Sequence, residues 1–280
     1  MRGSRRSRPA LRAYGNGPRR VPGLRREEVA SLAGVSIAYY TKLERGDASG
    51  VSDTVLDALA RALQLNDAER SHLFDLVRAQ QPVPRRRRRR SAPPTVRPGV
   101  QRLLNRINAP AYVRNGRMDV LGMNKLGEAV YSEMLANPRR PANSARFCFL
   151  DPRATTFFVD WDKTADDSVA VLRAEAGRNP HDQDLMNLIG ELSTQSDEFR
   201  VRWARHDVRY HHTGLKRIHH PLVGHLELTY EVMTLAADPD LVMFAFTAEV
   251  GSKSQEALDL LASWTATEDE PIAADASDRD

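Results

Sequence analysis

Residues 22–46, PGLRREEVASLAGVSIAYYTKLERG, constrain the fold more than any other stretch of the chain. The apolar residues Leu24, Val29 and Leu32 recur at near-helical spacing, which predicts a surface helix with one buried side. Gly34 follows where the chain must leave that helix, a position that usually needs a positive φ and therefore glycine. The stretch therefore predicts a short helix that ends in a tight turn.

A second helix is predicted directly after this turn. The Ser36 hydroxyl can accept hydrogen bonds from free amides of the first helical turn, so Ser36 is the predicted N-cap. Val35, Tyr40 and Leu43 supply an inward face. The other side of this second helix is then left to solvent or to a partner.

The outward residues of the second helix are of types that read DNA. Ile37 and Ala38 can pack against thymine methyl groups, and Lys42 can reach a guanine edge or a phosphate. In a helix-turn-helix, the start of the second helix reaches base edges while neighbouring polar groups contact phosphates. A helical hairpin that merely packs is the alternative interpretation. The residues predicted to contact double-stranded DNA are Arg25, Arg26, Ser36, Ile37, Ala38, Tyr39, Thr41, Lys42 and Arg45.

The same residues carry a family resemblance. EEVASLAGVS followed by YYTKLERG resembles the Xre/Cro-type helix-turn-helix. The longer string, together with VLDALARALQL, resembles the MmyB-like transcription regulators of actinobacteria. Related proteins have a further helix before the motif; here that helix is either degraded or lies upstream of this start.

Length and charge divide the chain in two. Its 280 residues suggest about two domains. Residues 1–97 hold 21 Lys and Arg against 9 Asp and Glu, a net charge of +12, whereas the remainder holds 20 against 28, a net charge of −8. A segregated positive charge is the expected footprint of DNA binding and implies salt-sensitive affinity. The acidic second half argues against nucleic-acid contact across the whole surface.

Three segments are predicted to lie outside the folded domains. Residues 1–21 hold seven arginines and no acid, which predicts a disordered basic arm. Residues 81–97 contain six consecutive arginines between prolines, which indicates a linker. This linker is either an extra phosphate-binding arm or a solvated tether. Residues 266–280 are predicted to be a loose acidic tail.

Cysteine usage and hydropathy indicate the compartment. Cys148 is the only cysteine, which rules out an internal disulfide and fits a reducing cytoplasm. We expect it to be a buried apolar residue. The sequence has no run of about 18 apolar residues and no apolar core of a secretory signal. We therefore expect a cytoplasmic protein with no membrane partner.

The first domain, residues 22–80, is predicted to be an all-α helix-turn-helix bundle. A third helix is capped by Ser52, and a fourth begins at Asn66 or Asp67. The third helix is predicted to bury Val55, Leu56, Leu59, Ala60 and Leu63, and the fourth Leu73, Phe74, Leu76 and Val77.

The second domain, residues 98–265, begins with a short helix, VQRLLNRI. Asn115-Gly116 is a strong hairpin signal and predicts two antiparallel strands around it. Four helices are predicted next, over residues 124–135, 165–176 and 184–192 and after the cap Ser196. In the last of them, Phe199 and Trp203 lie four apart on one face.

The end of this domain is predicted to be a set of strands. We expect a hairpin around Thr213-Gly214, and then a strand over residues 225–232 whose apolar and polar residues alternate. Asp238-Pro239-Asp240 is the predicted turn into LVMFAFTAEV, which is apolar on both faces and therefore a central strand. A helix over residues 254–264 ends the domain.

Two strands, several helices and three antiparallel strands is the order of an α/β PAS-like fold. The segments AYVRNGRMDVLGMN, WDKTADDSVAVLRAEAGR and HHPLVGHLELTYEV, among others, resemble the ligand-binding domain of the MmyB-like regulators. The resemblance implies a PAS-like sensor for a small apolar, fatty-acid-like ligand and no other cofactor. Aromatic walls with polar tips suit such a cavity, although for any single aromatic an ordinary core role is the favoured interpretation. The predicted ligand-binding residues are Tyr112, Asn124, Phe147, Phe149, Trp161, Phe199, Trp203, Arg205, His206, His220 and Tyr230.

A histidine cluster supports a second hypothesis. Six of the eight histidines fall between His206 and His225, which raises the alternative of a metal-dependent or enzymatic module tethered to DNA by the basic domain. Adjacent pairs such as His219-His220 point to opposite faces of a strand, however, and no HExxH motif or closely spaced Cys accompanies them. No GxSxG, P-loop or GxGxxG motif is found. We therefore predict neither a metal site nor catalysis.

We expect the protein to be a homodimer. A single helix-turn-helix covers too few base pairs for much specificity, so a pair of recognition helices on two half-sites is favoured.

Overall fold

The computed structural model describes residues 24–80, 95–205 and 213–267. The chain divides into two compact units, residues 1–81 and 82–280. The predicted basic arm, most of the arginine-rich linker and most of the acidic tail lie outside the described residues. In the described ranges, no helix combines the length and the apolar character needed to cross a membrane.

The first unit is built of four helices, as the sequence predicts. Ser36 Oγ accepts from the Tyr39 amide at 3.1 Å, which confirms the predicted N-cap of the second helix. Ser52 caps the third helix in the same way. Gly34 has a φ of +68°, so the turn uses the left-handed conformation that favours glycine. The helices are α1 Arg26–Leu32, α2 Ile37–Glu44, α3 Asp53–Ala62 and α4 Asp67–Gln80.

The core of this unit depends on small residues as much as on large ones. Ala30 is fully buried, and Tyr40 is buried beside it against α3. The prediction that three leucines are buried is wrong. Helices that pack closely through alanines turn those alanines, and not the larger leucines, toward each other. The leucines that remain exposed are Leu32 (52%), Leu63 (40%) and Leu76 (42%).

The second unit has nine helices and five strands within the described residues. Its elements are α5 Pro98–Leu104, β1 Ala111–Asn115, β2 Val120–Met123, α6 Lys125–Val130, α7 Ser132–Leu135, α8 Ser144–Leu150, α9 Ala154–Phe157, α10 Trp161–Arg178, α11 Gln183–Gln195, α12 Asp197–Ala204, β3 Thr213–His220, β4 Gly224–Leu235, β5 Asp238–Thr247 and α13 Lys253–Thr267. The strands form one antiparallel sheet in the order β2-β1-β5-β4-β3. The predicted order of strands and helices is confirmed, and β5 is central as its two apolar faces indicate.

Several predicted helices of this unit differ in extent from those observed. The helix expected over residues 124–135 is interrupted at Tyr131 and forms α6 and α7. Helices α8 and α9 were not predicted, whereas α10 is longer than expected at both ends. Val96 and Arg97, placed at the end of the predicted linker, already contact this unit: Val96 packs under the sheet, and Arg97 pairs with Asp238.

The predicted hairpin at Thr213-Gly214 is wrong within the described residues. Both residues belong to β3, where Gly214 pairs with Tyr230. A Cβ on Gly214 would lie 2.9 Å from the Tyr230 hydroxyl oxygen. Glycine therefore leaves room here for the Tyr230 side chain and does not form a turn. The β3–β4 connection lies at residues 221–223 and ends at Gly224, which has a φ of +76°.

The predicted turn at Asp238-Pro239-Asp240 is also displaced. Strand β5 begins at Asp238, which pairs with Leu235 across a two-residue connection, Ala236-Ala237. The proline is compatible with the strand because it lies at the strand's start, where a missing backbone donor is tolerated.

The sheet has two differently covered faces. Helix α5 covers Val113 and Met243 on the outer face. The inner face, which carries Tyr112, Tyr230 and Phe246, packs against the helices that follow β2 and against α13. The cavity between the sheet and α10 lies on this inner side.

The burial of Tyr40 generates a stability prediction. We expect Tyr40→Ala to lower the melting temperature of the first unit, because removing a buried ring leaves a cavity that typically costs about 3 kcal/mol or more. Tyr40→Phe, which keeps the ring, is the control and should melt close to the wild type. Circular dichroism at increasing temperature measures both variants, and an unchanged transition in Tyr40→Ala would contradict this account of the core.

Candidate DNA-binding surface and ligand cavity

Most of the DNA-binding candidates lie on α2 or at its two caps, and Arg25 and Arg26 lie at the start of α1. Ile37 is 53% exposed, and Ala38, Lys42 and Arg45 are also exposed. Thr41 is partly buried and donates its hydroxyl to the Ile37 carbonyl at 2.8 Å. This surface therefore offers an apolar start flanked by two cations, as the sequence predicts.

Three of the predicted DNA-contacting cations already have partners within the unit. Lys42 Nζ lies 3.4 Å from Asp47 Oδ2, and Arg26 pairs with Glu44. Arg25 Nη1 lies 3.6 Å from Glu27 Oε1. Exposed ion pairs of this kind contribute little to stability and exchange readily for phosphate. The first two pairs hold the long side chains near α2, and a phosphate would have to replace the carboxylate of each pair.

The remaining DNA-binding candidates have mixed environments. Arg25 is exposed, and its backbone amide donates to Glu28 at the start of α1. Ser36 is an exposed cap whose hydroxyl is occupied by Tyr39. The Tyr39 ring is partly buried and packs against the cluster around Phe74, so it supports α2 as well as flanking the surface.

The positive charge of the N-terminal region lies mainly outside the described helices. Residues 24–80 hold 7 Lys and Arg against 9 Asp and Glu, a net charge of −2. The seven arginines of residues 1–21 and the seven of residues 81–97 account for the excess. The four-helix unit is therefore not a basic surface by itself.

A cavity of about 100 Å³ lies between the inner face of the sheet and α10. Burial raises the pKa of the Tyr112 hydroxyl to about 12, which indicates a poorly hydrated interior. The walls are mostly aromatic and apolar, with a few polar groups. The lining residues are Tyr112, Arg114, Met118, Tyr131, Ser144, Phe158, Thr164, Asp167, Ser168, Val171, Lys216, Tyr230, Phe244 and Phe246.

Arg114 is the buried cation at the β1 side of this cavity. Its residue surface is only 8% exposed, and its guanidinium lies 4.9 Å from the centre of the Phe244 ring. Its one side-chain hydrogen bond to a described residue goes to the Asn115 carbonyl at 3.1 Å. Burial lowers the pKa of Arg114, and the charge of Glu175 opposes this shift only in part, because no carboxylate of the described residues lies within ion-pair distance of the guanidinium.

Lys216 is the cation at the β3 side. Its Nζ donates to Thr164 Oγ1 at 3.1 Å and lies 5.0 Å from the centre of the Phe158 ring. The residue keeps some accessible surface, yet protein atoms surround the ammonium, and this desolvation lowers the pKa of Lys216 to about 8. The nearby carboxylate Asp167 is hydrogen-bonded to Lys163 at 2.9 Å.

Two of the predicted ligand-binding residues, Tyr112 and Tyr230, line this cavity. Asn124 instead caps α6 and donates to the Ile107 and Ala109 carbonyls. His220 is buried away from the cavity, where its Nε2 lies 3.0 Å from the Ala129 carbonyl and its Nδ1 accepts from the Leu222 amide. Asn124 and His220 therefore fix backbone segments.

The other predicted ligand-binding aromatics form packing contacts beyond the cavity. Trp161 donates its Nε1–H to the Cys148 carbonyl at 2.9 Å. Phe199 and Trp203 stack at 5.5 Å, and Phe149 meets Phe199 edge to face. Phe147 packs edge to face against the aromatic residues of α9. Arg205 is exposed at the end of α12, and His206 lies outside the described residues.

Sequence reasoning missed the two cations, although strand periodicity contains the signal. Arg114 is two residues after Tyr112 on β1 and therefore shares its inward face. Lys216 likewise precedes the buried Ile218 by two residues on β3. A cation at the inward position of an apolar strand is the pattern that identifies both.

A second cavity of about 240 Å³ is lined by Arg139 and Arg146 near α8 and α11. Both arginines are already paired with Glu191, at 2.6 and 2.9 Å. Unlike Arg114, the arginines of this cavity therefore already have a carboxylate of the protein as their partner. Across residues 24–80, 95–205 and 213–267, no group of three or more His, Cys, Asp and Glu side chains is placed to hold a metal ion.

The first unit contains a helix pair with an exposed second helix, and the second unit is a sheet domain with a cation-lined cavity. The two together in one chain define the class of DNA-binding regulators that have a ligand-binding domain. Residues 2–73 match the family model of a helix-turn-helix domain, and this match includes the segment predicted to be a basic arm. Residues 96–261 match the MmyB-like transcription regulator ligand binding domain. Because that match covers more than half of the chain, the protein belongs to the MmyB-like transcription regulators. No curated protein matches the chain.

The lowered pKa of Lys216 generates a pH prediction. Between about pH 8 and 10.5 the folded state binds fewer protons at this lysine than the unfolded state, so Lys216 makes stability rise with pH in that window. We expect Lys216→Met to be more stable than the wild type near neutral pH, with a difference that shrinks as the pH approaches 10. Urea unfolding of the ligand-free protein at several pH values measures this. A difference that stays constant with pH would show that the ammonium is not desolvated.

Proposed function

We propose that the protein is a ligand-responsive, sequence-specific transcription regulator whose second domain senses a small apolar acid of fatty-acid-like character. It binds double-stranded DNA through α2 and acts in the cytoplasm. The observation that carries the sensing part is Arg114, a cation buried in a dry aromatic cavity without a carboxylate partner among the described residues. No catalytic role is proposed for either domain.

The DNA-binding part is supported by the separate positions of the base-reading candidates on α2 and of the arginine-rich segments. Ile37 and Ala38 are exposed at the start of α2, where helix-turn-helix proteins contact base edges, and Lys42 is exposed in its last turn. The arginine-rich segments on both sides supply charge for phosphates, and their counterion release makes affinity fall steeply with salt. A homodimer would place two copies of α2 on neighbouring half-sites and double the number of base pairs read.

The ligand class follows from the cavity's chemistry. An anionic head satisfies the guanidinium of Arg114, and an apolar chain suits the rings of Tyr112, Tyr230 and Phe246. Ligand sites typically measure about 300 Å³ or more, so the smaller cavity observed favours a short or medium chain. Octanoate is a suitable probe.

Lys42 should contribute to DNA sequence preference. We expect Lys42→Ala to weaken binding to a site selected from random duplexes about tenfold, since one base or phosphate contact is removed, and to flatten the ranking of single-base variants. Arg78→Ala, an equal change of charge at the end of α4, is the control and should keep the ranking.

Fluorescence anisotropy at fixed moderate salt measures both DNA-binding variants. Failure of the wild type to prefer any selected site over random duplex would overturn the proposed DNA-binding function. An unchanged ranking in Lys42→Ala would overturn only the assignment of this residue.

Arg114 should anchor the acid. We expect Arg114→Met to weaken octanoate binding about tenfold to a hundredfold, because a hydrogen-bonded ion pair in a dry site is lost. The ligand-free variant should melt at the same temperature as the wild type or higher, because an uncompensated buried charge is removed.

The matched control is Arg102→Met, which removes an exposed arginine of α5. Isothermal titration with octanoate should give the wild-type affinity for this control. Equal octanoate affinity in Arg114→Met and the wild type would overturn the assigned head-group site.

A further inference from the structure

The cavity has a second polar end that an acid with a plain alkyl chain would leave unsatisfied. This end is built by Lys216 together with Thr164, Asp167 and Ser168, which face it from α10. The Asp167 carboxylate pairs with Lys163 and also acts on the charge of Lys216. The role inferred for this end rests on the proposed function, because it concerns the ligand of the same cavity.

The two cations stand at opposite ends of the cavity. Arg114 lies on β1 and Lys216 on β3, and the sheet order places β5 and β4 between them. Three strand spacings correspond to about 14 Å across the sheet. They are also far apart along the strands, because Arg114 pairs with Val242 on β5, whereas Lys216 pairs with Leu228 on β4. A single carboxylate cannot contact both.

The space between the cations is apolar. Tyr112, Phe246 and Tyr230 form an aromatic floor on the inner face of the sheet, with neighbouring ring centres 5.7 and 6.1 Å apart. The hydroxyls of Tyr112 and Tyr230 have pKa values raised by burial, so this middle section is a poor place for charge. A ligand that spans the cavity must therefore be apolar in its middle.

The Lys216 ammonium has more donors than the described residues use. Of its three N–H groups, one meets Thr164 Oγ1 at 3.1 Å, which is its one hydrogen bond to a described residue. Ser168 donates its hydroxyl to the Thr164 carbonyl at 2.7 Å and does not accept a hydrogen bond from Lys216. Leaving donors unsatisfied in a desolvated site is costly, whereas an acceptor oxygen from a ligand removes that cost.

We infer that the sensed ligand is bifunctional: a carboxylate held by Arg114, an apolar middle, and an acceptor oxygen at its far end held by Lys216 and Thr164. An ω-hydroxy acid is the simplest molecule of this class, and an α,ω-dicarboxylate is a more strongly bound one. The far oxygen distinguishes the signal from the unmodified fatty acids of the cell.

The test compares acids of equal length with and without the far oxygen. Isothermal titration of the full-length protein uses hexanoate, octanoate, decanoate and dodecanoate, each beside its ω-hydroxy acid and its dicarboxylate. We expect at least one oxygenated acid to bind about tenfold more tightly than the plain acid of its length, the value of one charge-assisted hydrogen bond.

Variants connect this preference to Lys216. In Lys216→Met the preference should disappear while plain-acid binding is kept, and in Lys216→Gln, which retains a donor, part of the preference should return. Lys253→Met removes an exposed lysine of α13 and should behave as the wild type. Plain-acid binding by Lys216→Met also shows that this variant is folded.

The outcomes separate the two proposals. Binding of plain acids without any preference, or a preference that survives in Lys216→Met, overturns this inference and leaves the proposed sensing function in place. No binding by any of the acids overturns both.

Discussion

The burial of Arg114 is the constraint on which the second domain depends. A guanidinium inside an aromatic cavity loses its hydration, and stacking on Phe244 with one carbonyl contact replaces only part of it. Elsewhere in this domain buried arginines are paired: Arg202 meets Asp162, Asp166 and Glu198. Arg202 is thus held by carboxylates of the protein, whereas Arg114 has no carboxylate of the described residues within ion-pair distance.

The sheet explains why such a cavity persists. Its central strand β5 is held on both sides, so the inner face keeps a fixed register and the rings on it cannot collapse onto the cations. Gly214 contributes to this arrangement, because the absent Cβ lets the Tyr230 ring lie flat over β3. Under α5 the outer face carries an apolar cluster around Val113 and Met243, and Gln101 of α5 donates to the Met123 carbonyl of β2.

The strands and helices could be predicted from the sequence wherever a local pattern, such as a helix cap or an alternation of apolar and polar residues, determines them. Ser36, Ser52 and Ser196 form caps, and the alternation of β4 gives its buried face. The sequence-based prediction failed where tertiary packing decides the structure. Gly214 is a residue type typical of turns, but its missing Cβ leaves room for the Tyr230 ring. Leu32 has the pattern of a core residue, although Ala30 and Ala33 occupy the helix contact. The cavity cations were missed because aromatic residues, which are equally common in a core, were given more weight than inward-facing charge.

Charge placement in the first domain bears on how affinity and specificity are divided. The helices of residues 24–80 carry a net charge of −2, so attraction to the phosphate backbone must come from the arginines that flank them. Lys42 and Arg26 are held by Asp47 and Glu44, and these exposed pairs must open before either cation reaches DNA. Nonspecific attraction by the helical unit is therefore weak, and α2 engages fully only where base contacts offset the loss of those pairs. On the proposed function, the flanks set the salt dependence and α2 sets the choice of site.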